Sequence, residues 1–158
     1  MKEGKKFITK NRHAFHEYTV LDSFEAGIVL EGTEVKSIRM HNTFSLKEAY
    51  VDFTENEAWL VGSRISPYDK GNRNNHEPVR RRKLLLKKME INRLIKRVEE
   101  KGLTVIPLSA YFKQGKVKVE IGLCRGKRLY DKRESIKQRE TDREIERAVS
   151  VTRLEQPD

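Results

Sequence analysis

Residues 103–121 read LTVIPLSAYFKQGKVKVEI, and this stretch decides the fold class. Val117, Val119 and Ile121 alternate with Lys116, Lys118 and Glu120, the period-2 pattern of a strand with one buried and one wet face. Before it, Leu103 to Leu108 and Ala110-Tyr111-Phe112 form a strand that ends at Lys113-Gln114-Gly115. Pro107 has no N–H to give to a ladder, so an edge or a bulge is expected there. Upstream, Ala49-Tyr50-Val51-Asp52-Phe53 and Ala58-Trp59-Leu60-Val61 are strands joined by Thr54-Glu55-Asn56-Glu57, a hairpin. Tyr18, Val20 and Phe24, then Ile28-Val29-Leu30, suggest two strands with a turn or bulge near Ala26-Gly27. The reading is a mainly β fold with short helices, a small closed antiparallel barrel of about six strands with two or three helices and a C-terminal tail.

Helices are sparser. Thr33 to Arg39 is a short helix capped by Gly32 or Thr33, with Val35 and Ile38 inward and Lys36 and Arg39 outward. From Val79 to Lys101 the pattern is helical: Ile91, Leu94, Ile95 and Val98 recur at i, i+3, i+4 and i+7. A break is expected near Lys87-Lys88, and Gly102 ends the helix as its C′ residue. Ser66 to Pro78 is a long loop, and residues 1–13 are a loose basic arm around Phe7-Ile8.

The 158 residues carry 34 Lys+Arg against 24 Asp+Glu, a net charge of +10. That size suits one domain with a tail. The excess is uneven: residues 1–130 are net +11, residues 131–158 net −1, and residues 64–101 alone net +8. The run Arg80-Arg81-Arg82-Lys83 repels itself unless anions relieve it, which favours phosphate contact and a polyanionic partner. The apolar runs are only a few residues long, so no transmembrane helix is expected. No apolar stretch follows the basic start, so no signal peptide is expected either. The single cysteine, Cys124, excludes an internal disulfide and any multi-cysteine zinc site. A cytoplasmic protein is expected.

Catalytic signatures fail one by one. His13 and His16 form an HxxH that lacks further metal ligands; His41 and His76 fall in expected loops, as surface or RNA-contacting histidines. Gly122 to Lys127 resembles a P-loop but has three residues between its glycines, and Arg128 stands where Ser or Thr is required. No cofactor, metal or enzymatic role is expected. Residues 131–158 hold no Gly or aromatic residue and few apolar ones. Arg139, Arg143 and Arg147 recur every four residues, and Glu140–Arg143 and Glu144–Arg147 add roughly 0.2–0.5 kcal/mol each as i,i+3 pairs. That cannot hold an isolated helix. The tail is read as disordered when free and helical when bound, with a plain disordered terminus as the alternative.

Several strings taken in order go further. Asn11-Arg12-His13-Ala14-Phe15-His16-Glu17-Tyr18, Phe24 to Ile28, and Gly32-Thr33-Glu34-Val35-Lys36-Ser37-Ile38-Arg39 resemble the start of the SmpB family, the bacterial SsrA-binding proteins. The resemblance continues through Ile65 to Tyr68, Asn74 to Pro78, Arg82 to Leu86, Val105 to Leu108 and Tyr130-Asp131-Lys132-Arg133. His41 and Cys124 depart from it, where Gly and Ala are usual. It implies an oligonucleotide-binding-like barrel over residues 1–130 with a C-terminal tail over 131–158. It also implies that the barrel binds the tRNA-like domain of transfer-messenger RNA (tmRNA, SsrA RNA), supports its aminoacylation and delivers it to the A site of stalled ribosomes. Partners would be tmRNA and small-subunit rRNA, with an aminoacyl-tRNA synthetase and an elongation factor reached indirectly. The alternative is a ribosomal or rRNA-binding barrel without a tmRNA role.

Within that frame, Glu25 and Glu34 are informative because carboxylates repel phosphate yet accept hydrogen bonds from base amino groups. Glu34 is equally well read as an internal partner of Lys or Arg. Asn11, Arg12, His16, Lys36 and Arg39 would lie near Glu25 and supply phosphate and sugar contacts. Leu85 and Lys118 match family positions tied to tmRNA binding, with core packing as the other reading of Leu85. Tyr130 would stack on a ribosomal base. Asp131, Lys132 and Arg133 would contact decoding-centre rRNA, and the face of Arg139, Arg143 and Arg147 would form the tail helix.

Overall fold

The 103–121 stretch forms the longest hairpin of the larger sheet. Strands β8 (Leu103–Lys113) and β9 (Lys116–Gly126) make a long antiparallel hairpin, with Lys113 opposite Lys116. Gln114 and Gly115 both have positive φ, which suits the two-residue turn. The register slips between Pro107 and Ser109, so Pro107 sits at a bulge. A computed structural model describes residues 4–70, 75–100 and 102–127. The other elements in chain order are β1 (Lys6–Lys10), α1 (Arg12–Glu17), β2 (Tyr18–Ile28), α2 (Gly32–His41), β3 (Phe44–Ser45), β4 (Tyr50–Thr54), β5 (Glu57–Val61), β6 (Arg64–Ile65), β7 (Arg82–Leu85) and α3 (Lys88–Val98). Seven strands join in the order β1-β8-β9-β2-β7-β5-β4, and β3 pairs with β6 in a separate two-stranded sheet.

The fold is mainly β with three short helices among the described residues, and its ladder is open rather than closed. Closure requires the two outer strands to share hydrogen bonds. Here β1 takes the edge of β8 along Ser109–Phe112, and Pro107 offers no N–H beyond it. The other end of the sheet curls until β4 packs against β8 without a hydrogen-bonded ladder between them. The concave side holds the main core, with Ala26, Ala58, Leu60, Leu84, Leu94, Val105, Val119 and Ile121 buried.

Four local expectations are corrected. The N-terminal arm is not loose: Ile8 is buried on β1, and α1 covers a second small core of Ala14, Ile106, Leu108 and Cys124. One buried residue in a six-residue helix leaves no helical periodicity to read. β2 is one strand, with its irregularity between Val20 and Asp22; Gly27 instead marks where it meets both β9 and β7. Residues 82–85 are a strand, not a helix, because Arg82 and Leu84 point into the interior while Lys83 and Leu85 alternate outward. Finally, α3 is capped by Glu99, and Gly102 (φ +84°) lies in the turn that follows.

The β4–β5 hairpin is tighter than expected. Thr54 pairs with Glu57, and Glu55 and Asn56, both at positive φ, form a two-residue loop. Beyond β5, Gly62 at φ +83° runs so close to Glu48 that a Cβ there would lie 2.8 Å from its carbonyl oxygen.

The placement of β7 gives a direct check. Leu84→Ala is expected to lower the unfolding free energy by about 2–5 kcal/mol, while Leu85→Ala changes it by about 0.5 kcal/mol or less. Urea denaturation of the two variants reads the difference, and equal losses would contradict the strand register.

Candidate nucleic-acid interface

Glu34 points into the protein. It belongs to the first turn of α2, where its side chain accepts from the Glu31 N–H at 2.8 Å in a capping box. Both its side chain and that of Arg82 are fully buried. Arg82 Nε donates to Glu34 Oε2 at 2.6 Å, and Arg80 Nη2 to Oε1 at 2.6 Å. Arg82 Nη1 also donates to Ser63 Oγ and to the carbonyls of Ser63 and Arg80. Burial alone would raise the Glu34 carboxyl, but the hydrogen bonds from Arg80, the Glu31 backbone and Arg82 outweigh it and hold the group below its ordinary value. Of the two readings of Glu34, internal pairing is the one present.

The same accounting corrects the reading of the 80–83 run. Arg81 stacks over Trp59 at 4.6 Å from the ring centre and lies 3.6 Å from Asp52. Lys83 pairs with Glu57 at 2.7 Å. All four cations have carboxylate partners within the protein, so their repulsion is relieved from inside.

The outward face of β2, β8 and β9 is different. Glu25 on β2 accepts from Tyr111 Oη at 2.7 Å and lies 3.3–3.4 Å from Lys113 Nζ, both on β8. About a third of its side chain stays exposed. The hydrogen bond from Tyr111 leads the causes that lower its carboxyl pKa, with Lys113 and Lys5 adding to it against desolvation. Glu120 stands opposite Glu25 on β9, and Lys118 stands opposite Tyr111 and Gly27. Beside this group, Leu85 is 53% exposed, so of its two readings core packing is excluded. Leu85 and Lys118 line one cleft with Gly27, Ile28, Val35 and Lys116. A Cβ on Gly27 would lie 3.3 Å from Leu85 Cβ and 3.7 Å from Lys118 Nζ, so any larger residue would crowd this cleft. Arg39 donates to the Gly115 carbonyl and lies over Phe112, which ties α2 to the β8–β9 turn. Lys36 is exposed one turn earlier, 5.9 Å from the Tyr68 ring centre.

The remaining predicted residues divide. Arg12 and His16 are exposed on α1. Asn11 is buried: its carboxamide oxygen caps α1 by accepting from Ala14 N–H, and its Nδ2 donates to the carbonyls of Leu46 and Pro107. It clamps the fold, with its carboxamide bonded inside the protein and 4% of the residue exposed. His76 is likewise buried. Its Nε2 donates to the Ile65 carbonyl at 2.8 Å, which leaves Nδ1 to accept from Thr33 at 2.9 Å. It pins the 66–78 loop instead of meeting solvent. Cys124 is buried, and desolvation pushes its thiol up to about 11. Tyr130, Asp131, Lys132, Arg133, Arg139, Arg143 and Arg147 lie outside the described residues.

Tyr111, Lys113 and Lys5 were missed by sequence reasoning. The signal for two of them was present: a two-residue turn at Gln114-Gly115 fixes the hairpin register and sets Tyr111 opposite Lys118 and Lys113 opposite Lys116. What the pattern does not contain is β2 beside β9, which brings Glu25 into reach.

This face sets a hydrogen-bond-accepting carboxylate and an exposed leucine among lysines. Phosphates suit the lysines, and amino or hydroxyl donors suit the carboxylate. Together with the net charge of +10, that defines a small, basic, sheet-faced nucleic-acid-binding protein. The family described as "SmpB protein" matches residues 8–151, and the chain belongs to that family. It is 56% identical over 146 residues to an SsrA-binding protein of Chlamydia trachomatis serovar A, covering 92% of this chain and 96% of that one. It is 50% identical over 145 residues to an SsrA-binding protein of Desulfitobacterium hafniense, covering 92% of each chain. A solved structure described as "tmRNA-SmpB: a journey to the center of the bacterial ribosome" superposes with a TM-score of 0.61 at 40% identity, over 86% of this chain and 95% of that one.

The Glu34 cluster predicts a stability effect separable from binding. Glu34→Gln leaves Arg82 buried without its counter-charge and is expected to cost about 3–5 kcal/mol in urea unfolding at neutral pH. Because the folded carboxyl is lowered, wild-type stability from this group is present above the ordinary glutamate range and is lost as pH falls through the folded value. The Gln variant should therefore show a flatter acid limb, and an equally steep one would contradict the assignment.

Proposed function

We propose that this chain binds the tRNA-like domain of tmRNA, supports its aminoacylation and delivers it to the A site of stalled ribosomes, where trans-translation rescues them. The observation that carries this reading is family membership across residues 8–151, joined to 40% identity with a protein solved in the tmRNA-SmpB structure. The exposed face of Glu25, Leu85 and Lys118 supports it chemically. Lysines draw in phosphate, Glu25 accepts from a base amino group or a 2′-hydroxyl, and Leu85 packs against a base or ribose. Arg12 and His16 on α1, and Lys36 and Arg39 on α2, extend the contacts. The curled sheet, with β4 against β8, works as an oligonucleotide-binding-like barrel.

The protein acts in the cytoplasm by carrying RNA, with no reaction of its own. Residues 1–130 form the RNA-binding domain and residues 131–158 the ribosome-binding tail. Tyr130, Asp131, Lys132 and Arg133 meet decoding-centre rRNA, and Arg139, Arg143 and Arg147 lie along a helix that forms in the mRNA channel. The tail's net charge of −1 supports specific contacts there over general attraction.

Competition binding tests the first part. Labelled tRNA-like domain is titrated against bulk tRNA and rRNA fragments across salt. The preference for the tRNA-like domain should persist as salt rises, whereas phosphate-only binding weakens steeply and without discrimination. Equal affinity for rRNA fragments would replace this reading with that of an rRNA-binding protein.

Truncation after Tyr130 tests the division of labour. It should leave tRNA-like-domain affinity within about threefold, on the order of 0.6 kcal/mol, and abolish peptide tagging in a reconstituted stalled-ribosome assay. Loss of RNA binding on truncation would reject it.

A further inference from the structure

We infer that Tyr111 is a positioning residue for RNA recognition, fixing the Glu25 carboxylate on the sheet face so that its remaining acceptor positions meet the RNA. This rests on the proposed RNA-binding reading and adds to it a residue of the second layer.

Tyr111 is 1% exposed, yet its hydroxyl reaches a carboxylate that is one-third exposed. The phenol donates to Glu25 Oε2 at 2.7 Å across two strands that are not neighbours, since β9 runs between β8 and β2. The ring is held on its other sides. Phe7 meets it edge-on with centroids 5.8 Å apart, and Lys5 Nζ lies 4.7 Å from its centre. These contacts bring the strand before α1 onto the same spot. Burial and the Glu25 hydrogen bond push the phenol's ionisation far up, so it serves only as a donor to the carboxylate at any working pH.

A carboxylate has about four acceptor positions. Tyr111 takes one on Oε2, and Lys113 approaches both oxygens at 3.3–3.4 Å from the same strand. An exposed Glu has three rotatable bonds, and unless it is held it loses side-chain entropy on binding. A buried, rigid donor removes that loss in advance, which is how preorganisation raises affinity. The charged groups facing Glu25 are Lys113 on β8, Lys5 before β1, and Glu120 and Lys118 on β9. Among them, Tyr111 contributes direction without adding charge.

The test uses the full chain with labelled tRNA-like domain and bulk tRNA as competitor. Tyr111→Phe, Glu25→Ala and the double variant are compared. Tyr111→Phe should weaken specific binding about five- to tenfold, the range of one net hydrogen bond, with bulk-tRNA binding unchanged. In the Glu25→Ala background, which leaves the phenol no acceptor at that position, the same change should cost less than about twofold, because the two act as one unit. A second readout is the acid limb of specific binding. Removing the donor lets the Glu25 carboxyl rise toward its ordinary value, so Tyr111→Phe should lose binding at a higher pH than wild type, with thermal melting followed in parallel. An equal loss in both backgrounds, or an unmoved acid limb, would make Tyr111 a packing residue and overturn the inference while the RNA-binding reading stands. If wild type itself fails to distinguish the two RNAs, both fall together.

Discussion

The buried pair of Glu34 and Arg82 is the constraint on which the other parts depend. Arg82 lies on β7, the strand that joins β2 to β5 and so connects the two halves of the sheet. An arginine pointing inward from such a strand is tolerated only if its charge and its donors are satisfied. Glu34 supplies the charge from α2, and the carbonyls of Ser63, Glu77, Pro78 and Arg80 supply acceptors from the surrounding loops. One side chain therefore fixes a helix, a strand and the end of a long loop relative to one another. His76 repeats the device nearby, linking Thr33 of α2 to Ile65 of β6.

This arrangement changes what the net charge means. The segment 64–101 holds the densest positive charge in the chain, net +8, and its appearance is that of a phosphate-binding run. In the fold its cluster at 80–83 is answered by Glu31, Glu34, Asp52 and Glu57. Among the exposed cations with no carboxylate partner in the described residues are Arg12 on α1, Lys36 and Arg39 on α2, Lys116 at the start of β9, and Lys87, Lys88, Arg93 and Lys96 at and along α3. Counting charge along the chain therefore overstates the 80–83 cluster.

Legibility followed the same division between local and nonlocal. The β8–β9 hairpin, the bulge at Pro107 and the β4–β5 hairpin were readable because their signals are a period, a turn and a missing N–H within a few residues. Strand β7 was misread because an inward arginine reads as polar, and Leu84-Leu85-Leu86 suits a helix as well as a strand. β3 and β6, two residues each, carry no periodicity at all. Glu25 was singled out for its sign, but its neighbours Tyr111 and Lys113 depend on strand order, which no local pattern encodes.

Resemblance to a family selects residues without saying why each is fixed, and the side-chain directions supply the reason. Asn11, Glu34, His76 and Arg82 are turned inward and satisfied; Glu25, Lys36, Arg39, Leu85 and Lys118 are turned outward or half exposed. The outward set is dominated by cations, which attract any nucleic acid alike. Within that set, Glu25 and Leu85 are the two whose chemistry suits something other than phosphate. A carboxylate in such a field penalises a partner that brings phosphate to its position and rewards one that brings an amino or hydroxyl donor. In the proposed RNA contact, attraction and discrimination would thus share one face but depend on salt differently, since lysine contacts are screened and a short hydrogen bond to a fixed carboxylate is not.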